Sequence, residues 1–403
     1  MNENSILEAV RIIRESSTQY EPEEISIHEA DGRVLAEDVI CQFDIPGFNR
    51  SLKDGFAVLS RDTQSATPDS PVILQIAGTI PMGHGETPQH CFRETWRVST
   101  GGKIPDGADA VVMHEVVHGS VDPDAEGTTV VITQPIASGV NLVWKGDDFR
   151  AGCEIFPKGW TIRLQDLGVL AAIGRTRVKV WRVPVVGIIS TGREIISAKL
   201  EPRDGEVREV NSYLISGFLR RQGVIAKVYG IIKDDPALLS VLLHQSASMC
   251  NMVIVSGGSA KSAHDFTNDL INHLADPDTI EIMTGVGRPL VIRFIRGKPV
   301  IALPGHPTSA FLILVLGVTQ LIQGLKGSPC QKQYKQSVKM AVELPSRKER
   351  DQFFPVRIRD GKATPVGGVS GSFQTLLESD GIIRVPIGTD LLVEDEEVEV
   401  IVW

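Results

Sequence analysis

Residues 185–192 read Val185-Val186-Gly187-Ile188-Ile189-Ser190-Thr191-Gly192, an unbroken apolar run that stops on two hydroxyls and a glycine. An apolar run without alternation is the mark of a strand covered on both faces, as in a parallel sheet between helices. The pattern recurs downstream. Met252-Val253-Ile254-Val255 ends on Ser256-Gly257-Gly258, and Val300-Ile301-Ala302-Leu303 ends on Pro304-Gly305-His306-Pro307-Thr308-Ser309 before a long apolar helix. Between these runs the spacing predicts a helix over 211–222, a strand over 224–232, and a helix to about Ala247 that opens on Asp235 and Pro236 as cap and first-turn proline. Strands and helices in alternation specify an α/β domain.

Upstream, residues 5–17 place Ile6, Val10 and Ile13 at helical spacing behind a Ser5 cap. From Glu24 to about residue 175, short β-branched runs such as Val72–Ile76 and Ala110–Met113 alternate with Gly, Pro and Asp turns, with a helix expected at Leu164–Ala172. Residues 331–403 return to short strands and turns and read as a small barrel. The fold class is therefore α/β plus β, in several domains. A length of 403 residues agrees, since it suggests two to four domains at roughly 150 residues each.

Composition narrows the function. With 41 Lys+Arg against 50 Asp+Glu the net charge is −9, which argues against broad nucleic-acid or anionic-membrane binding. The longest continuous apolar run, Ala310–Val318, falls short of the ~20 residues a bilayer span needs and reads as a buried helix. The first residues lack a signal-peptide pattern. The five cysteines (Cys41, Cys91, Cys153, Cys250, Cys330) form no C-x-x-C pair, so a cytoplasmic location with reduced thiols is expected.

Strand ends in an open α/β sheet are where ligands bind, because loops and helix N-termini present free backbone N–H groups there. Three such ends built from Ser, Thr, Gly and Pro point to a phosphate-type ligand. Carboxylates flank them: Glu194, Asp234, Asp235 and Asp265. Phosphate donors beside carboxylates suggest Mg²⁺ bridging an anionic substrate, although Asp235 also fits a helix cap and Glu194 a solvated loop charge. His114-Glu115-Val116-Val117-His118 spells H-E-x-x-H, but it continues the Ala110–Met113 strand pattern. In a strand its histidines would stand ~13 Å apart, too far to share a zinc ion.

Four ordered motifs together resemble the molybdopterin molybdenumtransferase family, called MoeA in bacteria and matching the E domain of gephyrin. The family's D-x-P-x-F-x-R-S-x-x-D-G-Y/F-A-V is similar to Asp44–Val58, and its T-G-x-x-V/I-P-x-G-A-D-A-V-V to Thr100–Val112. Its S-T-G-D/N-E-L/I is similar to Ser190–Ile195, and its L-P-G-N-P-x-S to Leu303–Ser309. The resemblance implies a homodimer whose subunits divide into residues 1–40 with 139–175, an inserted β-rich domain at 41–138, a MoaB/MogA-like α/β domain at 176–329, and a C-terminal β-barrel at 330–403. It also implies the reaction: molybdate enters the dithiolene of adenylylated molybdopterin, and AMP is released with Mg²⁺. The molybdopterin adenylyltransferase is an implied partner.

Carried over by position, Asp54 and Thr100 line the cleft from the β-rich part, completed by the partner subunit. Glu194, Asp235 (or its neighbour Asp234) and Asp265 are the implied catalytic and metal-holding acids. Ser190, Thr191, Gly192, Ser256, Gly257 and Gly258 face the substrate, and Pro304, Gly305, His306 and Ser309 cradle the oxyanion. The sequence departs from the family at several places: Asn49 stands where Asp is usual, and Arg193 where Asp or Asn is usual. The family's S-G-G-x-S-x-G-x-x-D becomes Ser256–Asp265 with Lys261 inside it, its K-P-G-K-P-L becomes Gly285–Leu290 with Arg288, and His306 stands where Asn is usual. Lys261, Arg288 and His306 restore positive charge, though an arginine fork is not a lysine point charge. Two readings follow: a molybdenum-inserting enzyme with a re-tuned anion pocket, or a divergent paralogue, either a non-catalytic one that binds a pterin or nucleotide ligand or an enzyme for another oxyanion such as tungstate.

Overall fold

The computed structural model describes residues 10–13, 21–83, 85–117, 128–233, 235–257, 266–277, 279–283, 289–328, 334–367 and 372–403. The chain divides into two compact units, Asp38–Pro157 with Gln165–Thr176, and Met1–Glu37 with Lys158–Leu164 and Arg177–Trp403.

The first of these is β-rich. Strands β1 (Gly55–Val58), β2 (Val72–Thr79), β3 (Glu94–Val98), β4 (Ala110–Met113) and β5 (Thr129–Ile132) form one sheet in the order β4-β1-β3-β2-β5. Its core gathers Phe56, Val58, Leu74, Ala110, Val112 and Val130. Gly55 is obligatory, since a Cβ there would lie 2.0 Å from the Val112 carbonyl oxygen. Helix α1 (Leu164–Ala172) falls where periodicity placed it. One expectation is corrected: β4 ends at Met113, and His114–Val116 is a 3₁₀ turn rather than strand. The His114 ring leaves the pleat to meet Phe56 edge-on at 4.9 Å. His118 lies outside the described residues.

The second unit carries a six-stranded sheet. Its elements are β6 (Val185–Thr191), α2 (Asn211–Arg221), β7 (Ile225–Ile232), α3 (Pro236–Met249), β8 (Met252–Ser256), α4 (Phe266–Leu274), β9 (Thr279–Met283), β10 (Pro289–Ile295), β11 (Lys298–Leu303) and the helix α5 (Pro307–Lys326). The strand order is β7-β6-β8-β11-β10-β9. Strands β7, β6, β8 and β11 run parallel, and β10 and β9 add an antiparallel edge that the sequence reading did not foresee.

Both faces are covered, as the apolar strands require. Val186, Ile188, Ile254 and Ile301 pack with Ile215 and Leu219 of α2 and Leu314 and Leu321 of α5. Ile189, Val253, Val255 and Val300 pack on Leu239 and Leu243 of α3 and Ile271 of α4. Fully burying such side chains contributes about 1.5–3 kcal/mol each. Val10 and Ile13 of the N-terminal helical turn join the first cluster.

Helix α5 is longer than the apolar run alone suggested. By length and composition it could cross a membrane, but 83% of its most apolar 18-residue window is buried. A π-turn at Leu314–Val318 lies mid-helix, where Gly317 lets it settle against Leu290. Beyond it, β12 (Lys335–Met340), β13 (Gln352–Arg359), β14 (Lys362–Pro365), β15 (Gly381–Val385) and β16 (Glu397–Val402) close into the expected barrel. Ile382 and Ile401 on its outside pack on Leu312, Val315 and Leu316 of α5.

Candidate functional site

Register places the three strand ends side by side. Ser190 pairs with Ser256, and Ser256 with Leu303, across β6, β8 and β11. The strands run one or two residues further than the apolar pattern implied, so Ser190, Thr191 and Ser256 are buried strand residues and the turns begin at Gly192 and Gly257. Gly257 has φ +109°, and a Cβ on it would sit 2.2 Å from the Thr191 carbonyl oxygen and 2.7 Å from Thr191 Oγ1. Only glycine allows the two ends to approach this closely. Thr191 Oγ1 reaches the Ser256 carbonyl at 3.4 Å and the buried Thr267 Oγ1 at 3.3 Å.

The first turn of α2 fastens these ends together. After Gly192, Ile195–Ile196 pairs in parallel with Val207–Arg208, which returns the chain beside β6 and sets Glu209 there. The Glu209 carboxylate, 5% exposed, accepts from Ser190 Oγ at 3.0 Å, from the Ser212 backbone N–H at 2.7 Å and from the Ser212 hydroxyl. Three donors and the positive end of α2 compensate a buried charge that would otherwise be strongly unfavourable. Asn211, also 5% exposed, donates from Nδ2 to Ser256 Oγ at 2.8 Å and to the Gly305 carbonyl at 2.9 Å. Its Oδ1 is buried without a hydrogen-bond partner among the described residues. Glu209 and Asn211 were missed in the sequence. The available signal was an Asn and a Ser at the first helical positions, which reads as ordinary helix-start chemistry.

Beyond β11, His306 precedes the first helical residue of α5 without a side-chain cap, and Pro307 occupies the position where a missing N–H is harmless. Gly305 and His306 are exposed, Ser309 is half-buried, and Thr308 turns its hydroxyl to the Ser372 carbonyl at 3.1 Å. Glu194 is exposed just past Gly192. Asp235 caps α3, its Oδ1 accepting from the Leu238 N–H at 3.0 Å. Because Thr191 pairs with Ile232, Glu194 and Asp235 leave neighbouring strand ends, each three residues on. In the β-rich unit, Asp54 and Thr100 are brought together, with the Thr100 N–H donating to Asp54 Oδ1 at 2.8 Å. Gly258, Lys261, Asp265, Arg288 and Asp234 lie outside the described residues.

Among the described residues no group of three or more His, Cys, Asp or Glu is arranged to hold a metal ion. That composition still suits Mg²⁺, which takes one or two carboxylates and completes its shell with phosphate and water. Glu194 is exposed past β6, and the second oxygen of Asp235 is not used by the α3 cap.

Comparison with known proteins places this geometry in a context. Residues 4–174 match the profile of the MoeA N-terminal region (domain I and II), residues 187–323 that of the "Probable molybdopterin binding domain", and residues 337–403 that of the MoeA C-terminal region (domain IV). The chain is 27% identical to molybdopterin molybdenumtransferase 2 of Mycobacterium tuberculosis, over 95% of each chain. It is 27% identical to the molybdopterin molybdenumtransferase of Staphylococcus epidermidis, over 96% of this chain and 92% of that one. A crystal structure of the molybdopterin biosynthesis MoeA protein of Pyrococcus horikoshii superposes with a TM-score of 0.80 at 30% identity, over 98% of both chains.

Proposed function

The chain belongs to the MoeA family, and from that premise we propose that its strand-end site cleaves adenylylated molybdopterin as molybdate is inserted, releasing AMP. It is a transferase of molybdenum cofactor biosynthesis, a molybdopterin molybdenumtransferase. The observation that carries the mechanistic reading is the convergence of Ser190 on Glu209, just before α2, and of Ser256 and Gly305 on Asn211, its first residue, at the carboxyl edge of a parallel sheet.

In this mechanism the residues past β6 and β8 hold the adenylylated pterin. Gly192 and Gly257 let the backbone approach its phosphates, and Ser190 and Ser256 fix those turns from beneath. The segment Pro304–Ser309 receives the oxyanion at the start of α5, where first-turn N–H groups and the helix dipole favour negative charge. Glu194, Asp235 and Asp265 would hold Mg²⁺, which neutralises phosphate charge as the adenylyl group leaves. Lys261, Arg288 and His306 complete the oxyanion assignment, Asp54 and Thr100 are assigned a substrate-facing role within the β-rich unit, and the working assembly is a homodimer.

The test is AMP release from adenylylated molybdopterin by the purified chain with Mg²⁺, using molybdate and tungstate in turn. Turnover with molybdate that Glu194→Ala or Asp265→Ala abolishes, with the fold retained, supports the reading. No AMP above a protein-free control overturns it, and turnover with tungstate alone reassigns the oxyanion. Light scattering of the free protein tests the dimer.

A further inference from the structure

Asn211 holds two backbone carbonyls of the β11–α5 turn: Gly305 O at 2.9 Å and, more weakly, Pro304 O at 3.5 Å. In a trans peptide the C=O and the N–H of one unit point in opposite directions. Carbonyls drawn in toward Asn211 therefore turn the N–H groups of Gly305 and His306 outward. Both residues are exposed, and among the described residues neither N–H has a hydrogen-bond acceptor. Two successive outward N–H groups make a nest; Pro307 has no N–H, and the first-turn N–H groups of Thr308 and Ser309 lie beyond it.

We propose that Asn211 is a positioning residue that forms this anion nest: its amide sets the Gly305 and His306 peptides so that their N–H groups face the oxyanion. The assignment of the Asn211 amide is fixed by chemistry, since two carbonyls can be met only by its NH₂. This orientation leaves Asn211 Oδ1 buried with no donor among the described residues, in a side chain 5% exposed, so the carbonyl contacts are kept at the cost of an unpaired acceptor. A buried unpaired acceptor is unfavourable, and native proteins retain such groups mainly where function uses them. The same Nδ2 bonds Ser256 Oγ at 2.8 Å, so the nest is tied to the neighbouring strand end. Asn211 itself contacts no part of the oxyanion in this scheme.

This inference rests on the oxyanion reading above, and one experiment separates their fates. Tungstate binding to the full chain is measured by titration calorimetry for the wild type and Asn211→Ala, with AMP binding as the internal comparison. The expected result is a loss of tungstate affinity on the order of tenfold, with AMP affinity changed by less than about twofold. A merely structural role would weaken both. Equal tungstate affinity in the two proteins overturns the role of Asn211 and leaves the oxyanion site standing. No tungstate binding by the wild type overturns the site itself. Should Asn211→Ala fail to fold, Asn211→Asp keeps the side-chain shape but loses the donor. Its crystal structure should show the Gly305 carbonyl turned away from residue 211, and an unmoved carbonyl overturns the proposal.

Discussion

Ser190 and Glu209 are joined by a 3.0 Å hydrogen bond from hydroxyl to carboxylate, between the end of β6 and the residue two before α2. The bond ties the last turn of a central strand to a helix start, and the same carboxylate holds both the N–H and the hydroxyl of Ser212.

Removing that carboxylate should therefore be severe for the fold as well as the site. Glu209→Ala strands three buried donors and is expected to lower stability by about 3 kcal/mol, with Glu209→Gln losing about half as much. Urea unfolding checks both. A change below about 0.5 kcal/mol in Glu209→Ala would show that water replaces the carboxylate freely.

Gly257 has no room for a side chain, because its Cβ would sit 2.2 Å from the Thr191 carbonyl oxygen at a φ of +109°. Gly257→Ala should destabilise the protein by about 2 kcal/mol or more and abolish AMP release, since β6 and β8 must part to admit the methyl. Wild-type turnover in this variant would mean that the two strand ends are not held at this separation.

Asp235 has two assignments that one pair of variants separates. As the cap of α3, its loss in Asp235→Ala should lower stability by about 1 kcal/mol, whereas Asp235→Asn preserves the cap. If the second oxygen also serves Mg²⁺, Asp235→Asn keeps wild-type stability and raises the Mg²⁺ concentration needed for half-maximal AMP release. Unchanged Mg²⁺ dependence leaves the residue as a cap only.

His90 gives the β-rich unit a pH-dependent stability. Burial pushes its ring below the usual histidine range, against the opposing pull of Asp62, Glu94 and Asp109, and neither ring nitrogen has a hydrogen-bond partner among the described residues. A depressed folded value means the unfolded chain takes up the proton first as pH falls. The stability from neutral His90 is thus fully present above about pH 6.5 and declines below it. The urea midpoint should fall between neutral pH and pH 5 in the wild type, and His90→Gln should flatten that slope. A slope unaltered by the substitution would assign it to other groups.

Much of the α/β unit was legible because burial on both faces demands apolar residues in sequence. The runs at 185–189, 252–255 and 300–303 became strands for that reason, and the proline after Asp235 marked the start of α3 as expected. The antiparallel strands β9 and β10 were not legible, since Thr279–Met283 and Pro289–Ile295 flank a glycine-containing stretch of sequence, 284–288, that matched an anion-site motif instead. His114 was misread as strand because its neighbours are β-branched, whereas its ring is held by Phe56 from another strand.

Local chemistry thus determined which residues end the strands and that those ends carry hydroxyls and glycines suited to an anionic ligand. It could not determine what holds them together. Asn211 meets Ser256 and Gly305 from 45 and 94 positions away, and Glu209 meets Ser190 from 19. Such contacts exist only once the parallel strands have been laid side by side and α2 has been packed across them. A polar side chain's partner is decided by where the chain returns, and the return is set by sheet order and helix packing rather than by the residues next to it.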